Sequence, residues 1–478
     1  MLDKNIIIIF LGKLVLMLIS IVSIKVTTEL LTPYEMGNIY IFGVILSFFI
    51  LFLINPITQY FFRFMNEWKK KSLVDIIFLL NIYFLFISLS SLLIYPLYAF
   101  FNIGNGFDFK SLFLLLFFMI YFQTLNQFII PVLNMLHYRL SFTILTVLTS
   151  LGSLFFAYIF VKLFGNSAQN WLIGIVLSNC IFMIIGFVIL RNKLNDKFNG
   201  VFYNLKKITK PKIKSILVFV IPLSIATLFM WLQNSGYRIV VEQKLGLEFL
   251  GFLGVGMAVS SQIASVVESI VMQYFHPIYY QKITNVTLED RKKAINELIN
   301  KVLPIYFMLT IFLTFFAKYI VEILVAEKYF EAYIFAVFGI WIEFFRMTTN
   351  LFGNISQSEM NTKKFMIPYI IGSILTIILV YLSSIHSEYK LYLPLALIVG
   401  GFLTMIIMYF SMKKLIDFEI DYRLIFWAFI VSIPYFGVYF IDIESTLFNN
   451  IVLVMCFGLY FLGTIFYIYK KGLVNDNC

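Results

Sequence analysis

Long apolar runs separated by short polar breaks fill almost the whole chain. A bilayer core of about 30 Å needs roughly 20 apolar residues per helix, and runs of that length occur fourteen times. We number them span one to span fourteen, with predicted bounds 5–28, 36–63, 73–101, 111–136, 140–163, 171–190, 215–241, 248–275, 302–325, 332–356, 365–385, 391–412, 422–441 and 447–469. The pattern predicts an all-α, polytopic membrane protein with about fourteen transmembrane helices.

Composition agrees with this prediction. The 478 residues are 61% hydrophobic with a mean hydropathy of +0.93, which is more apolar surface than a soluble core of this length could bury. The three cysteines and three histidines have no disulfide or metal-ligand spacing. There is no Gly-Lys-Ser/Thr phosphate loop and no catalytic constellation. We therefore expect no enzyme activity, no metal and no cofactor.

The net charge of +11 is informative through its placement. With a cytoplasmic N-terminus, most of the 36 lysines and arginines fall in cytoplasmic segments, as the positive-inside rule requires. The sequence thus predicts a multi-pass protein of the bacterial inner membrane with both termini in the cytoplasm, and it does not indicate a nucleic-acid partner. The longest basic break predicts a linker at 192–214 between helical bundles at 1–191 and 215–414, followed by an extra helix pair and tail at 415–478.

A second cytoplasmic stretch, 287–300, places four aliphatic side chains near one helical face, with Thr287 or its neighbours positioned to cap the helix. We interpret it as a short interfacial helix.

The first two spans and spans seven and eight share a repeated pattern. Adding 213 to Lys25, Glu29 and Glu35 gives Arg238, Glu242 and Glu248, and adding 214 to Gly37 gives Gly251; the same 214 relates Gln59-Tyr60-Phe61 to Gln273-Tyr274-Phe275. The repeat unit is six spans in one orientation. Two pseudo-symmetric six-helix bundles facing a central cavity are a transporter architecture.

These residues also carry a family resemblance. Leu31-Thr-Pro-Tyr-Glu-Met-Gly37, Ile221-Pro-Leu, Arg238 and Leu245-Gly-Leu-Glu-Phe-Leu-Gly251 resemble the polysaccharide flippases of the multidrug/oligosaccharidyl-lipid/polysaccharide exporter superfamily. Members often have Asp-Arg near the end of span seven, whereas this chain has Tyr237-Arg238. The resemblance implies a flippase for undecaprenyl-pyrophosphate-linked oligosaccharides, made of twelve spans and an additional C-terminal pair.

Two ion pairs are predicted near the outer ends of spans one and seven. Lys25 and Glu29 are four residues apart, as are Arg238 and Glu242, so each pair lies on one helical turn. In one interpretation both pairs snorkel to the interface and fix the end of each helix. In the other, the two cations face one another across the mouth of the cavity.

Four charged residues lie deeper, where an unpaired ionisable group costs several kcal/mol. Lys13 lies roughly 12 Å into span one, at about 1.5 Å per residue. Glu343 and Arg346, at i and i+3 in span ten, are predicted to pair and to leave spare guanidinium donors for a substrate. Glu268 in span eight either carries a proton or sodium ion or neutralises one of these cations.

Neutral polar residues complete the predicted binding surface. Asn126 and Gln127 in span four, Asn234 in span seven and Asn350 in span ten could hydrogen-bond the sugars of a glycan. The alternative is interhelical hydrogen bonding, which is common in helix bundles.

The leading functional prediction is a flippase for lipid-linked oligosaccharide, as in O-antigen or capsule assembly, driven by an ion gradient or the membrane potential. Its expected partners are the lipid-linked oligosaccharide, membrane lipids and other polysaccharide assembly proteins. A multidrug or peptidoglycan-precursor exporter of the same fold is the alternative. A membrane polysaccharide polymerase is the least favoured, because every predicted external loop is short.

Overall fold

The computed structural model describes residues 4–69, 73–194, 200, 210–283, 286–359, 361–440 and 446–473, and these ranges contain helices and no strand. The α-helices are Lys4–Leu30, Pro33–Phe48, Asn55–Lys69, Leu73–Ser90, Tyr95–Phe101, Phe109–Met135, Arg139–Phe164, Ala168–Lys193, Lys210–Trp231, Tyr237–Ile283, Leu288–Leu324, Tyr333–Ser358, Thr362–Ile385, Tyr389–Lys413, Tyr422–Ser432 and Leu447–Leu473. Short 3₁₀ segments lie at Ser91–Ile94, Glu327–Ala332 and Ile433–Phe440, and π-helical segments lie at Phe49–Ile54 and Leu232–Gly236.

The predicted all-α, multi-pass class is confirmed. By length and composition, the described residues contain 12 helices able to cross a membrane. One of these, Ile213–Ile283, has 71 residues and is interrupted at Gly246, whose φ of 84° and ψ of 171° are not helical; it is long enough for two crossings. Tyr333–Ser358, with 26 residues, supplies the remaining predicted span.

The chain divides into two compact units, Met1–Gly251 and Phe252–Cys478, called here the N-terminal unit and the C-terminal unit. Most of the predicted linker at 192–214 lies outside the described residues. The predicted six-helix bundles therefore remain a prediction.

In the N-terminal unit, side chains from two neighbouring helices bond to carbonyls within the π-helical segment Phe49–Ile54 of span two. The Thr227 hydroxyl donates to the Leu51 carbonyl at 2.8 Å, and the Tyr83 hydroxyl donates to the Leu53 carbonyl at 2.8 Å. About two turns before Leu51, the Trp231 indole N–H donates to the Val44 carbonyl at 3.0 Å. Spans two, three and seven are thus fastened together through these hydrogen bonds.

Polar caps start several of the spans. Thr32, Asp108, Ser167 and Thr287 each accept a backbone N–H three residues ahead, which satisfies one of the free amides at a helix N-terminus. Hydrogen bonds from the Ser111 side chain and amide hold the pKa of Asp108 below its usual value. These caps fix where spans two, four, six and nine begin.

The predicted interfacial helix is wrong. Residues 288–300 form the first part of the 37-residue helix Leu288–Leu324, which contains span nine. Ile295, Leu298 and Ile299 are each at most 4% exposed and pack inside the protein, so the apolar face does not lie on a lipid surface. The Thr287 cap was correctly predicted.

Span nine is the core helix of the C-terminal unit. Phe312 stacks on Phe461 at 5.8 Å between ring centroids and meets Tyr435 edge-on at 5.4 Å, while Phe316 lies 4.9 Å from Phe457. These rings belong to spans nine, thirteen and fourteen. The last two spans therefore pack directly on span nine.

The connection between spans twelve and thirteen is hydrogen-bonded to the N-terminal part of the helix Leu288–Leu324, which contains span nine. The Asn296 side-chain oxygen accepts the Glu419 amide at 2.9 Å, and the Asn300 side-chain oxygen accepts the Asp421 amide at 2.8 Å. Lys292 also donates to the Glu419 carboxylate at 3.3 Å. Span nine thus holds the C-terminal pair through both apolar and polar contacts.

Candidate functional site

A charged cluster links spans eight and ten in the C-terminal unit. The Arg346 Nε donates to Glu343 Oε2 at 2.6 Å, and its Nη2 donates to Glu268 Oε2 at 2.8 Å. Asn350, one helical turn further along span ten, donates to Glu268 Oε1 at 3.1 Å. The predicted Glu343–Arg346 pair is formed, and Glu268 takes the neutralising position that was one of its two predicted roles.

Two tyrosines border this charged cluster. Tyr369 in span eleven is 2% exposed and donates its hydroxyl to Asn350 Oδ1 at 3.1 Å. Tyr306 in span nine is fully buried within reach of the Glu268 and Arg346 charges, and its hydroxyl has no hydrogen-bond partner among the described residues. Four spans therefore contribute to the charged cluster.

The electrostatics of the charged cluster follow from its members. Two carboxylates face one guanidinium, so the cluster holds one excess negative charge when all three groups are ionised. The side chains of Arg346, Glu268 and Glu343 are 21%, 17% and 13% exposed, which leaves a small opening to a ligand. Arg346 Nη1 makes no hydrogen bond to the described residues and can still donate to an anion.

In the N-terminal unit, Glu242 does not pair with Arg238 as predicted. Glu242 is 6% exposed, and its Oε1 accepts the backbone N–H of Gly104 at 2.8 Å. Its Oε2 has no hydrogen-bond partner among the described residues. The Arg238 guanidinium instead lies 5.5 Å from the Tyr40 ring centroid and 5.6 Å from that of Tyr237, where a cation is attracted to the aromatic face.

Replacing Glu242 with alanine is expected to lower the stability of the protein by about 1–3 kcal/mol, because the buried Gly104 amide would lose its acceptor. Thermal unfolding of the purified protein in detergent measures this effect. Glu248→Ala is the matched control, since Glu248 is an exposed glutamate just past the helix interruption at Gly246. Equal melting temperatures for the two variants would contradict the assignment.

The two repeat-related corners of the chain pack against each other within the N-terminal unit. A Cβ added to Gly37 would overlap the Leu247 carbonyl oxygen, and a Cβ added to Gly251 would overlap the Pro33 carbonyl oxygen. Gly37 and Gly251 are repeat equivalents at the offset of 214, whereas the offset of 213 that holds up to Glu35 takes Pro33 to Gly246. Leu247 is therefore one residue past the repeat equivalent of Pro33. The contact is therefore only approximately symmetric: each corner glycine packs against the backbone of the other corner.

The remaining predicted charges of the N-terminal unit lie on span one. Lys13 and Glu29 are exposed and Lys25 is half-buried. At 100° per residue, Lys13 lies on the side of the helix opposite to a stripe of exposed aliphatic side chains formed by Leu11, Leu14, Val15, Leu18 and Val22. Lys13 therefore does not share that apolar surface.

The predicted neutral residues differ in their surroundings. Asn126 is buried and donates to the Thr149 hydroxyl at 3.4 Å, which is the interhelical alternative. Gln127 is exposed, and Asn234 is half-buried in the π-helical segment Leu232–Gly236. Asn350 belongs to the charged cluster.

Sequence reasoning missed Tyr306, Tyr369, Tyr40 and Gly104 as neighbours of the predicted charges. Nothing in the local pattern indicates them, because each comes from a different span or loop. The equivalence of Gly37 and Gly251 did have a signal in the 214-residue offset, but their contact did not.

No family model and no curated protein matches the sequence. The structure is similar to that of the lipid II flippase MurJ in an inward closed conformation, with a TM-score of 0.70 and 16% identity over 98% of this chain and 99% of that one.

The structure is also similar to that of an inward-facing multidrug resistance MATE family transporter of the MOP superfamily, with a TM-score of 0.61 and 12% identity over 87% of this chain and 98% of that one. A MATE structure in the straight conformation gives a TM-score of 0.52 at 14% identity, over 86% of this chain and 94% of that one. The chain is therefore a multi-pass membrane protein with the fold of MOP-superfamily transporters.

Proposed function

We propose that this protein is a flippase that moves undecaprenyl-pyrophosphate-linked oligosaccharides across the bacterial cytoplasmic membrane. The observation that carries the proposal is the extent of the fold. The likeness to the lipid II flippase extends over 98% of the chain, whereas that to the multidrug transporter extends over 87%. The proposed cargo is lipid-linked, as is the lipid II moved by that flippase.

In this proposal, basic side chains hold the pyrophosphate of the cargo. Arg346 retains Nη1 as a donor, and a guanidinium binds phosphate oxygens strongly where water is scarce. Lys13, Lys25 and Arg238 supply further positive charge. Gln127 and Asn234 offer neutral hydrogen-bonding groups to the sugars, whereas the Asn126 amide donates to Thr149 and the Asn350 amide donates to Glu268.

The charged cluster also offers a means of coupling to an ion gradient. Its excess carboxylate can be neutralised by a proton or a sodium ion at Glu268 or Glu343. Neutralisation weakens the hold of these carboxylates on Arg346 and frees guanidinium donors for an anion. Binding of a cation and binding of the cargo at this cluster would then be thermodynamically linked.

Alternating access requires a closure that forms and separates. The reciprocal contact of Gly37 and Gly251 supports such a closure, because both glycines lie at corners that the charge distribution assigns to the outer side. The contact brings backbone against backbone at Gly37 and Gly251. Opening it would cost few strong interactions.

A peptidoglycan-precursor exporter is the second candidate, since the lipid II flippase matches the whole length of this chain and its cargo presents the same pyrophosphate. A multidrug exporter would use the excess carboxylate of the charged cluster for cationic drugs. Both share the proposed membrane location and lack of enzyme activity.

Deletion of the gene in the source organism tests these candidates. We expect an undecaprenyl-linked oligosaccharide to accumulate on the cytoplasmic leaflet and surface polysaccharide to disappear. The wild-type gene should reverse both changes. Leaflet-specific periodate oxidation followed by lipid extraction measures the accumulation. Accumulation of lipid II would favour the second candidate, and unchanged lipid-linked glycans with increased drug sensitivity would refute the proposal.

A further inference from the structure

A short loop, residues 102–107, connects spans three and four and is called here the docked loop. Two side chains near the end of span seven bond to it or to its flank. The Gly104 amide donates to Glu242 Oε1 at 2.8 Å, and the Gln243 side-chain amide donates to the Phe101 carbonyl. The end of span seven therefore fastens the loop within the N-terminal unit.

The docked loop also packs on span two. A Cβ added to Gly106 would overlap the Asn38 side chain, and the Phe107 ring lies 6.1 Å from the Phe42 ring between centroids. Asn38 directly follows Gly37, the glycine of the corner contact. Docking of the loop and closure of the corners therefore involve the same turn of span two.

The carboxyl group that holds the docked loop is buried and incompletely hydrogen-bonded. Glu242 is 6% exposed, and its Oε2 has no hydrogen-bond partner among the described residues. The Asn38 side-chain oxygen, on the other span that contacts the loop, is likewise buried without a partner in the described part of the chain. An ionised Glu242 would be stabilised by one hydrogen bond, and burying a charge in this way costs free energy. A proton on Oε2 removes the charge and adds an O–H donor.

The other charged and titratable side chains of these elements make different contacts. The Arg238 guanidinium lies over the Tyr40 and Tyr237 rings, and the Asp108 carboxylate accepts the Ser111 amide at 3.0 Å. The remaining groups are hydrogen-bonded elsewhere at Glu35 and Tyr98 or exposed at Lys110, Lys244 and Glu248. Glu242 is therefore the buried acidic group through which pH can act on the docked loop.

We propose that Glu242 is a proton-binding site and that the bound proton keeps the docked loop in place. The described residues contain no group of three or more side chains suited to a metal ion, so a proton is the ligand that fits this single carboxyl group. Undocking would expose Glu242 to water, where a glutamate is ionised above about pH 4.3. The docked form then binds one proton more than the undocked form, so docking weakens as the pH rises. This site is separate from the charged cluster, and the proposal does not depend on the identity of the cargo.

Electron paramagnetic resonance between spin labels at Asn105 and Glu248 measures docking of the loop. Both positions are exposed, and the labels are placed in the full-length protein without its native cysteines. We expect short distances near about pH 5, with the ratio of undocked to docked protein rising by up to about tenfold per pH unit as Glu242 loses its proton. Replacing sodium with choline at constant pH should leave the distances unchanged.

Two variants assign the pH response to a residue. Glu242→Gln keeps an acceptor for the Gly104 amide and cannot ionise, so its loop should stay docked over the whole pH range. Asp108→Asn is the matched control, because it removes the exposed carboxylate that directly follows the same loop. This control should keep the pH response of the wild type.

Infrared spectroscopy supplies a second measurement that needs no label. The carbonyl stretch of a protonated carboxyl group should be present near neutral pH in the wild type and weaker in Glu242→Gln. Wild-type distances that do not change with pH would overturn the proposal, as would a response to sodium at constant pH or equal infrared bands in the two proteins. If Glu242→Gln does not fold, the wild-type titration and Asp108→Asn decide, and loss of the pH response in Asp108→Asn would overturn the proposal.

Discussion

Replacing Arg346 with methionine is expected to abolish export of surface polysaccharide and to lower the free energy of unfolding by about 3–5 kcal/mol. The loss of stability follows because Glu268 and Glu343 would remain largely buried without the cation that both of them bind. The loss of export follows from the proposed role of the guanidinium. Thermal unfolding in detergent measures the first effect, and surface glycan staining of complemented cells measures the second.

A combined variant separates these two effects. Adding Glu268→Gln and Glu343→Gln to Arg346→Met removes both unpaired charges, so most of the stability should return. Export should remain absent, because no cation is restored. If the triple variant exported glycan as the wild type does, Arg346 would have only a structural role and would not bind cargo.

Substitution of Gly37 with alanine is expected to prevent the two repeat-related corners from packing closely. The added Cβ would meet the Leu247 carbonyl oxygen, a backbone atom that cannot rotate away. Gly251→Ala should act in the same way through the Pro33 carbonyl. Both variants should favour the arrangement in which the corners are separated, and export should fall about 10- to 100-fold, equivalent to about 1.4–2.8 kcal/mol.

Gly43→Ala is the control for this prediction, since a Cβ at Gly43 would have no described heavy atom within 4 Å. Electron paramagnetic resonance between spin labels at Tyr34 and Glu248, both exposed, measures the separation of the corners in a background without cysteine. Longer distances in the Gly37→Ala and Gly251→Ala proteins, with unchanged distances in Gly43→Ala, are expected. Identical distance distributions in all of them would contradict a closure at these glycines.

Most of the fold could be predicted from the sequence because the bilayer sets the length of each element. The predicted span 73–101 agrees with helical segments that run from Leu73 to Phe101, and the predicted span 140–163 lies within Arg139–Phe164. The extension of span nine could not be predicted in this way. Residues 288–300 are amphipathic, and amphipathicity alone does not distinguish a lipid surface from a protein surface as the apolar partner.

The site could be predicted only where its contacts are local. Glu343 and Arg346 lie three residues apart on one helix, and that spacing predicts their pairing. The same rule failed for Glu242, because the Gly104 amide from a distant loop competes for the carboxylate. Glu268 and Tyr369 meet the charged cluster across spans, a relation that helical periodicity does not contain.

The sequence repeat predicts some relations between distant residues, but it does not predict their contacts. Its 214-residue offset relates Gly37 to Gly251, and the structure brings the two corners together around these glycines. The offset predicts that the corners are equivalent. It does not predict that they touch, because two equivalent positions can lie close to the symmetry axis or far from it.

The attachment of the final two helices to span nine limits how this protein can be shortened. A twelve-helix version ending at residue 414 would uncover Phe312 and Phe316, whose rings now meet Tyr435, Phe457 and Phe461. It would also remove the backbone amides of Glu419 and Asp421, which donate hydrogen bonds to Asn296 and Asn300. The C-terminal pair is therefore needed to cover the apolar face of span nine, and fluorescent or affinity tags should be placed after it.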